Sequence, residues 1–169
     1  MKLLLLVRHA KSSWKDPGLA DRERPLNQRG KKDAPGMGKR LARDYPMPEL
    51  MVSSPAARAL GTAKALAKAI GYPRSRIRVE KRLYGADLTE FVQVIRELDD
   101  DADRALVVGH NPALTEVATL LSQHPFDNVP TCGVVALEFE TDTWDDVGRT
   151  KARVLAFDYP KKPRGPDAS

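Results

Sequence analysis

The chain has 169 residues, of which 41% are hydrophobic and 30% are charged, with a formal net charge of +5. These fractions exclude a disordered chain, and a chain of this size buries roughly 70% of its unfolded-state surface, enough to fold without disulfides or metals. The positive charge suits an anionic ligand, whereas an aromatic content of only 6% argues against a nucleic-acid-binding module. We expect one domain over residues 1–160 and a frayed basic tail over residues 161–169.

Two features predict a cytoplasmic protein. The single cysteine, Cys132, lies in an apolar run and is interpreted as a small buried side chain. A lone cysteine excludes an intramolecular disulfide, as expected in a reducing compartment. The apolar run Leu3–Val7 is too short for a transmembrane helix or a typical signal peptide, and Arg8 and His9 end it. We therefore expect no association with a membrane.

The start of the chain predicts a strand, a long polar connection and a helix. Leu3–Val7 is an unbroken apolar run, which is typical of a strand buried on both faces in the middle of a parallel sheet. The polar stretch 9–27 is longer than ordinary connections and is therefore expected to line a functional site. A helix is predicted to follow from Asn27, as its N-cap, to about Asp44.

Strands and helices alternate through the rest of the chain. In chain order we predict a strand at 49–53, a helix from Pro55 to about Ile70 ended by Gly71, a weaker strand at 76–83, a helix at 87–98, a strand at 104–110, a helix at 113–121, and strands at 131–140 and 151–158. This order predicts an α/β fold, a three-layer α/β/α sandwich on a mostly parallel sheet.

Basic side chains and histidines follow the predicted strands. Arg8 and His9 come after the first strand, Arg58 soon after the second, and His110 ends the strand at 104–110. In open α/β sheets, ligands bind beyond the carboxyl ends of the strands. Guanidinium groups match the geometry of phosphoryl oxygens, and a neutral histidine offers a ring nitrogen as a nucleophile. The combination predicts phosphoryl transfer at this edge of the sheet.

Three motifs at these strand ends carry a family resemblance. They are Leu-Leu-Val-Arg-His-Ala at 5–10, Ser-Ser-Pro-Ala-Ala-Arg-Ala at 53–59 and Val-Val-Gly-His-Asn at 107–111. In this order they resemble the motifs of the histidine phosphatase superfamily, which includes the cofactor-dependent phosphoglycerate mutases, with Ala10 at the usual glycine. Shorter matches, such as Arg-Pro-Leu at 24–26, are similar to the SixA-type phosphohistidine phosphatases. The resemblance implies a phosphoglycerate mutase-like fold.

The resemblance also implies roles for individual residues. His9 would accept the phosphoryl group, Arg8 and Arg58 would bind its oxygens, His110 would donate a further hydrogen bond, and Ser12 would contact the substrate. We expect two in-line displacements through a phosphohistidine intermediate. Neither a metal nor a cofactor is expected, because the arginines neutralise the charge of the transferred group.

The proton donor for the leaving group is left open. Larger relatives carry an acidic general acid between the third strand and the next helix. This region contains Glu80, Asp87 and Glu90, and no motif selects among them. A phosphohistidine substrate lessens the need for an acid, because an imidazole leaves more easily than an alkoxide.

Three functions are compatible with these motifs. The first is a phosphatase for phosphohistidine on proteins, because the chain is too short to carry the lid-like insertions of small-molecule relatives. The alternatives are a small-molecule phosphomonoesterase on the same site and a noncatalytic adaptor that binds phosphohistidine or phosphate. Aromatic residues do not discriminate, because Trp14 and Tyr84 are interpreted as packing residues rather than ligand contacts.

Overall fold

The computed structural model describes residues 1–163. Its strands are β1 (Lys2–Arg8), β2 (Leu50–Ser53), β3 (Arg78–Val79), β4 (Arg104–Gly109), β5 (Val134–Phe139) and β6 (Arg153–Asp158). Its α-helices are α1 (Gln28–Asp44), α2 (Ala57–Ile70), α3 (Leu88–Arg96) and α4 (Ala113–Ser122). Short 3-10 helices cover Asp21–Glu23, Arg74–Arg76, Lys81–Leu83 and Trp144–Asp146.

The six strands form one mostly parallel sheet in the order β3-β2-β4-β1-β5-β6. Strands β3, β2, β4, β1 and β6 run in one direction, and β5, between β1 and β6, runs in the opposite direction. Strand β1 lies between β4 and β5 and pairs with a strand along each of its edges. The predicted central position of this strand is confirmed.

Helices cover both faces of the sheet, as the predicted three-layer α/β/α fold requires. Successive side chains of a strand point to opposite faces. Accordingly Leu4 and Leu6 of β1 pack in one core with α3 and α4, and Leu5 and Val7 pack in a second core with α1 and α2. The continuous hydrophobicity of β1 thus follows from its burial in two cores at once.

Capping residues set the helix ends that the sequence predicts. The Asn27 side chain accepts a hydrogen bond from the backbone of Gly30 at 2.8 Å and starts α1. Gly71 has a φ of 83° and ends α2, because an L side chain rarely adopts this left-handed conformation. Helix α1 tolerates Gly38 in its interior, where a Cβ atom would lie 2.5 Å from Ala69 on α2. The glycine allows the two helices to approach closely.

The predicted strand at 76–83 is largely wrong. Only Arg78 and Val79 pair with β2, and 3-10 helices flank them on both sides. Both side chains are exposed at the sheet edge, so no burial of apolar surface favours a longer strand. Helix α2 also begins later than Pro55, because the Ser54 hydroxyl accepts the backbone N–H of Ala56 and forms a turn first.

The predicted strand at 131–140 begins later than expected. Residues 130–133 form a turn instead, in which Gly133 donates to the carbonyl of Pro130 at 2.8 Å and Cys132 has a φ of 60°. Cys132 is buried, as predicted.

In the described chain, 1–163, no helix is long and apolar enough to cross a membrane. Most of the predicted basic tail, residues 164–169, lies outside the described residues.

Candidate active site

The carboxyl ends of β1, β2 and β4 bring the predicted histidines together. Arg8 on β1 is in register with Gly109 on β4, and the backbone of His9 donates to the Gly109 carbonyl at 3.1 Å. His9 and His110, one residue beyond each strand, therefore stand side by side, with ring centroids 5.1 Å apart. A Cβ atom at Gly109 would lie 2.7 Å from the Phe91 ring, so α3 packs tightly against this strand end.

His9 is held as a neutral imidazole with one defined tautomer. Its ring is buried, and Nδ1 lies 2.7 Å from the carbonyl oxygen of Ala10. Because a carbonyl oxygen only accepts hydrogen bonds, the proton must be on Nδ1, which leaves the lone pair on Nε2. Burial, together with the nearby charges of Arg58 and Arg8, lowers the pKa of His9 to about 4. The ring is therefore uncharged at neutral pH, and Nε2 is nucleophilic.

His110 is fixed through its other ring nitrogen. Its Nε2 lies 2.7 Å from the Ser54 hydroxyl, which follows β2. Its Nδ1 is buried and has no hydrogen-bond partner within residues 1–163. Burial and the proximity of His9 lower the pKa of His110 to about 3. One nitrogen is thus engaged with the protein, and the other is unpaired in the described part of the chain.

Arg8 lies at the end of β1, directly before His9. Its Nη1 donates to the carbonyl of Val129 at 3.1 Å. Its Nε is buried and lacks a partner in the described part of the chain. Burial lowers the pKa of Arg8, but an arginine remains charged at any working pH. A buried guanidinium with an unused donor is suited to an anion.

Arg58 enters the site from the first turn of α2. Its side chain is 9% exposed, and its charge adds to burial in lowering the pKa of both His9 and His110. Its Nη1 donates to the backbone carbonyl of Asp21 at 2.7 Å, and its Nη2 donates to the Asp21 carboxylate at 3.0 Å. The four residues predicted from the motif ends are therefore grouped at one edge of the sheet.

Ser12 is tied to a neighbouring arginine. The Arg24 guanidinium donates to its hydroxyl at 2.5 Å and also to the Asp21 carboxylate at 2.9 Å. The same guanidinium stacks over the Trp14 ring, 3.2 Å from the centroid. The interpretation of Trp14 as a packing residue is wrong, because its side chain is 76% exposed. Arg24 binds its ring on one face and leaves the rest in solvent.

Asp21 and Tyr84 are site residues that sequence reasoning missed. The Tyr84 hydroxyl donates to the Asp21 carboxylate at 2.6 Å, and the Tyr84 ring packs edge-on against His110 at 5.7 Å. Hydrogen bonds from Tyr84, Arg58 and Arg24 hold the pKa of Asp21 far below its usual range, so it is ionised. The length of the polar stretch 9–27 was the one sequence signal for this position.

The three acid candidates have structural partners of their own. Glu80 binds Arg82 and Arg78, and the hydrogen bond from Arg82 is the main reason why the pKa of Glu80 falls to about 2. Asp87 and Glu90 form the capping box at the start of α3, in which each side chain accepts from the other's backbone. Within residues 1–163, none of the three is hydrogen-bonded to His9 or Arg58.

The donor set at this edge suits an anion rather than a cation. Two guanidinium groups and two neutral imidazoles converge there, and their nearest carboxylate is already bound to arginine. Among residues 1–163, no group of three or more histidine, cysteine, aspartate or glutamate side chains could hold a metal ion. The arrangement can bind a phosphoryl group and offer it a nucleophile.

Comparisons with known proteins agree with this geometry. Residues 4–91, just over half of the chain, match the sequence model of the histidine phosphatase superfamily (branch 1). An uncharacterised protein of Mycobacterium tuberculosis is 31% identical over 165 residues, covering 92% of this chain and 100% of the relative.

Solved structures share the fold along almost the whole chain. A structure assigned as the phosphohistidine phosphatase SixA of Agrobacterium tumefaciens has a TM-score of 0.78 and 26% identity, and the match covers 94% of this chain and 99% of that one. The protein histidine phosphatase SixA in complex with tungstate has a TM-score of 0.79 at 19% identity, with 94% and 97% covered. The chain therefore belongs to the histidine phosphatase superfamily (branch 1) and is a phosphatase of the hydrolase class.

Proposed function

We propose that this chain dephosphorylates phosphohistidine on proteins, through a phosphorylated His9 and without a metal ion. The observation that carries the proposal is the hydrogen bond between His9 Nδ1 and the Ala10 carbonyl at 2.7 Å. Because this bond places the ring proton on Nδ1, the lone pair of the buried, neutral ring is on Nε2. The guanidinium groups of Arg8 and Arg58 supply the positive charge that a phosphoryl group needs nearby. The neutral ring of His110 supplies a further hydrogen-bond donor.

In the first step, Nε2 of His9 attacks phosphorus. The bond between Nε2 and phosphorus forms while the bond between phosphorus and the substrate nitrogen breaks, and its electron pair leaves with the substrate imidazole. When the other nitrogen of that imidazole carries a proton, the leaving group departs neutral and takes no proton from the enzyme. This accords with the engagement of Glu80, Asp87 and Glu90 in structural bonds.

In the second step, water attacks phosphorus from the side that the leaving group has vacated. The bond between phosphorus and Nε2 breaks, and its electron pair returns to the imidazole of His9. Both protons of the water remain on the product, which is released as dihydrogen phosphate and then loses a proton to solvent. Arg8 and Arg58 would hold the phosphoryl oxygens through both steps.

The choice of a phosphohistidine protein as substrate is supported by the relatives. The Agrobacterium tumefaciens protein that resembles this chain at 26% identity is assigned as a phosphohistidine phosphatase. We extend that substrate class to this chain. We also place the activity in the cytoplasm, because a single cysteine excludes an intramolecular disulfide, as expected in a reducing compartment. Cell fractionation that finds the protein in an oxidising compartment would refute this location.

We further propose that residues 1–160 form the phosphatase domain and that the tail after them is not needed for it. Arg40 on α1 donates to the carbonyls of Tyr159 and Pro160, which attaches the last residues of this domain to α1. Removal of residues 161–169 should leave kcat/KM and Tm unchanged. A large loss of either would refute the boundary.

Phosphoenzyme trapping tests the mechanism. Wild-type protein incubated with a labelled phosphohistidine protein and excess chelator should form an acid-labile, alkali-stable phosphoenzyme, and His9→Ala should form none. Loss of the signal on chelation alone would refute the metal-free mechanism. If wild type never forms a phosphoenzyme and His9→Ala still binds the phosphorylated protein, the chain is an adaptor instead.

Relative rates test the substrate. We expect kcat/KM to be much higher on a phosphohistidine protein than on a panel of phosphorylated metabolites. A strong preference for a sugar phosphate or another phosphomonoester would identify a small-molecule phosphatase on the same site.

A further inference from the structure

We infer that Asp21 is a positioning residue, which orients the guanidinium of Arg58 toward the phosphoryl group. The inference rests on the proposed function, since it assigns Arg58 to the phosphoryl oxygens. Asp21 itself lies outside the three motifs, in the polar stretch between β1 and α1.

Asp21 accepts hydrogen bonds from Arg58 through two different groups. Its backbone carbonyl accepts from Nη1 at 2.7 Å, and its carboxylate accepts from Nη2 at 3.0 Å. Two bonds from one residue define both the place of the guanidinium and the rotation of its plane. A guanidinium has five N–H donors in a fixed fork, so these bonds leave further donors for the oxygens of a phosphoryl group.

Asp21 is itself held by two further side chains. Its Oδ2 accepts from the Tyr84 hydroxyl at 2.6 Å, and its Oδ1 accepts from Arg24 at 2.9 Å. Arg24 is buried and also binds the Ser13 carbonyl at 3.1 Å. These bonds fix the carboxylate on the loop, and they fix the loop segment that carries the Asp21 carbonyl.

These bonds indicate that Asp21 positions Arg58 rather than competing with the substrate for it. A carboxylate bound only to Arg58 would resemble a substrate oxygen and would have to leave before substrate bound. The Asp21 carboxylate has two other partners, Tyr84 in the segment after β3 and Arg24 in its own loop, and these should hold it in place without Arg58. We therefore expect Arg58 to bind the phosphoryl group while Asp21 still holds it.

Tungstate affinity tests the inference without requiring turnover. Asp21→Ala should weaken tungstate binding, measured by calorimetry, and lower kcat/KM on a phosphohistidine protein by about 10-fold to 100-fold, the usual cost of a misplaced catalytic group. If the substitution only removed a negative charge, the tungstate anion would instead bind more tightly. Tighter tungstate binding by Asp21→Ala would thus identify a competing carboxylate and overturn the inference.

A matched control lies in the same loop. Asp16 is exposed and its carboxylate accepts from the backbone N–H of Gly18 at 2.9 Å, and it has no bond to an arginine within residues 1–163. Asp16→Ala should bind tungstate as wild type does. Tyr84→Phe, which removes one bond to the carboxylate, should cause a smaller loss than Asp21→Ala. If Asp21→Ala fails to fold, Asp21→Asn provides the same test, because its amide cannot accept from all three donors.

A double-mutant cycle tests whether Asp21 acts through Arg58. In an Arg58→Ala background, Asp21→Ala should cause no further loss of tungstate affinity. Equal losses in both backgrounds would indicate a general structural role and overturn the inference. If wild type binds tungstate with this coupling but does not hydrolyse phosphohistidine, the proposed function fails and the role of Asp21 stands. If wild type turns over and Asp21→Ala has no effect, only the inference fails.

Discussion

The Thr62 hydroxyl accepts the backbone N–H of Ala10 at 2.8 Å. The same hydroxyl donates to the backbone carbonyl of Arg58 at 2.8 Å, and it is fully buried. One side chain on α2 therefore connects the residue after the proposed nucleophile to the turn that carries the second arginine. The spacing between the nucleophile and Arg58 depends on this hydroxyl.

We predict that Thr62→Val destabilises the protein and impairs catalysis. Valine has the same shape but leaves the buried N–H of Ala10 without an acceptor, which costs about 1–3 kcal/mol. Urea denaturation should show a lower free energy of unfolding, and kcat/KM should fall as Ala10 and Arg58 separate. Thr62→Ser retains the hydroxyl and is the control. Equal activity of the two variants would contradict the prediction.

We predict that the loss of activity on acidification occurs well below the pKa of an ordinary histidine. His9 reacts as a neutral ring, and its pKa is lowered to about 4, mainly by burial. The acidic limb of kcat/KM should therefore lie near pH 4, well below the value near 6.5 expected of an unperturbed histidine. A pH profile at constant ionic strength measures this limb. An acidic limb near pH 6.5 would contradict the lowered pKa.

The same pKa shift predicts how stability depends on pH. Between pH 6.5 and about 4, the unfolded chain binds a proton at residue 9 that the folded chain does not bind. The free energy of unfolding should therefore fall as the pH falls through this window. His9→Gln should make the pH dependence shallower. An unchanged slope in the variant would show that His9 titrates normally in the folded protein.

Alanine substitutions at two glycines of α1 should change the stability of the protein in opposite directions. A Cβ atom at Gly30 would overlap the backbone carbonyl of Lys11, two residues after His9, whereas nothing lies within 4 Å of a Cβ atom at Gly36. Gly30→Ala should lose about 1–3 kcal/mol and displace the loop after His9, with a loss of activity. Gly36→Ala, at an exposed helical site, should gain about 0.5–1 kcal/mol at unchanged activity. Chemical denaturation and kcat/KM measure both; a stable, active Gly30→Ala would contradict the close packing.

We predict that neither Glu80 nor Asp87, two of the sequence-based acid candidates, donates a proton. Glu80→Gln should leave kcat on a phosphohistidine protein unchanged. Asp87→Ala should also retain kcat while it loses about 1 kcal/mol of stability, because it removes the N-cap of α3. A loss of about 100-fold or more in kcat for either variant would identify a general acid.

Local patterns were sufficient for most of the fold. Continuous apolar runs predicted β1 and β4, because strands buried on both faces need apolar side chains at every position. Asn27 and Gly71 predicted helix ends through their own backbone and capping chemistry. The weak strand at 76–83 was overestimated because an exposed edge imposes no such pattern on its residues.

The candidate site divides in the same way. The sequence by itself determined that His9, Arg8, Arg58 and His110 meet, because the carboxyl ends of parallel strands share one edge of the sheet. Only the tertiary structure decided how they are held. The contact between Arg58 and Asp21 joins residues 37 apart in sequence, and the bond from Tyr84 to Asp21 spans 63. Such contacts depend on the path of an irregular loop, and polar side chains in a loop follow no periodic pattern from which that path could be predicted.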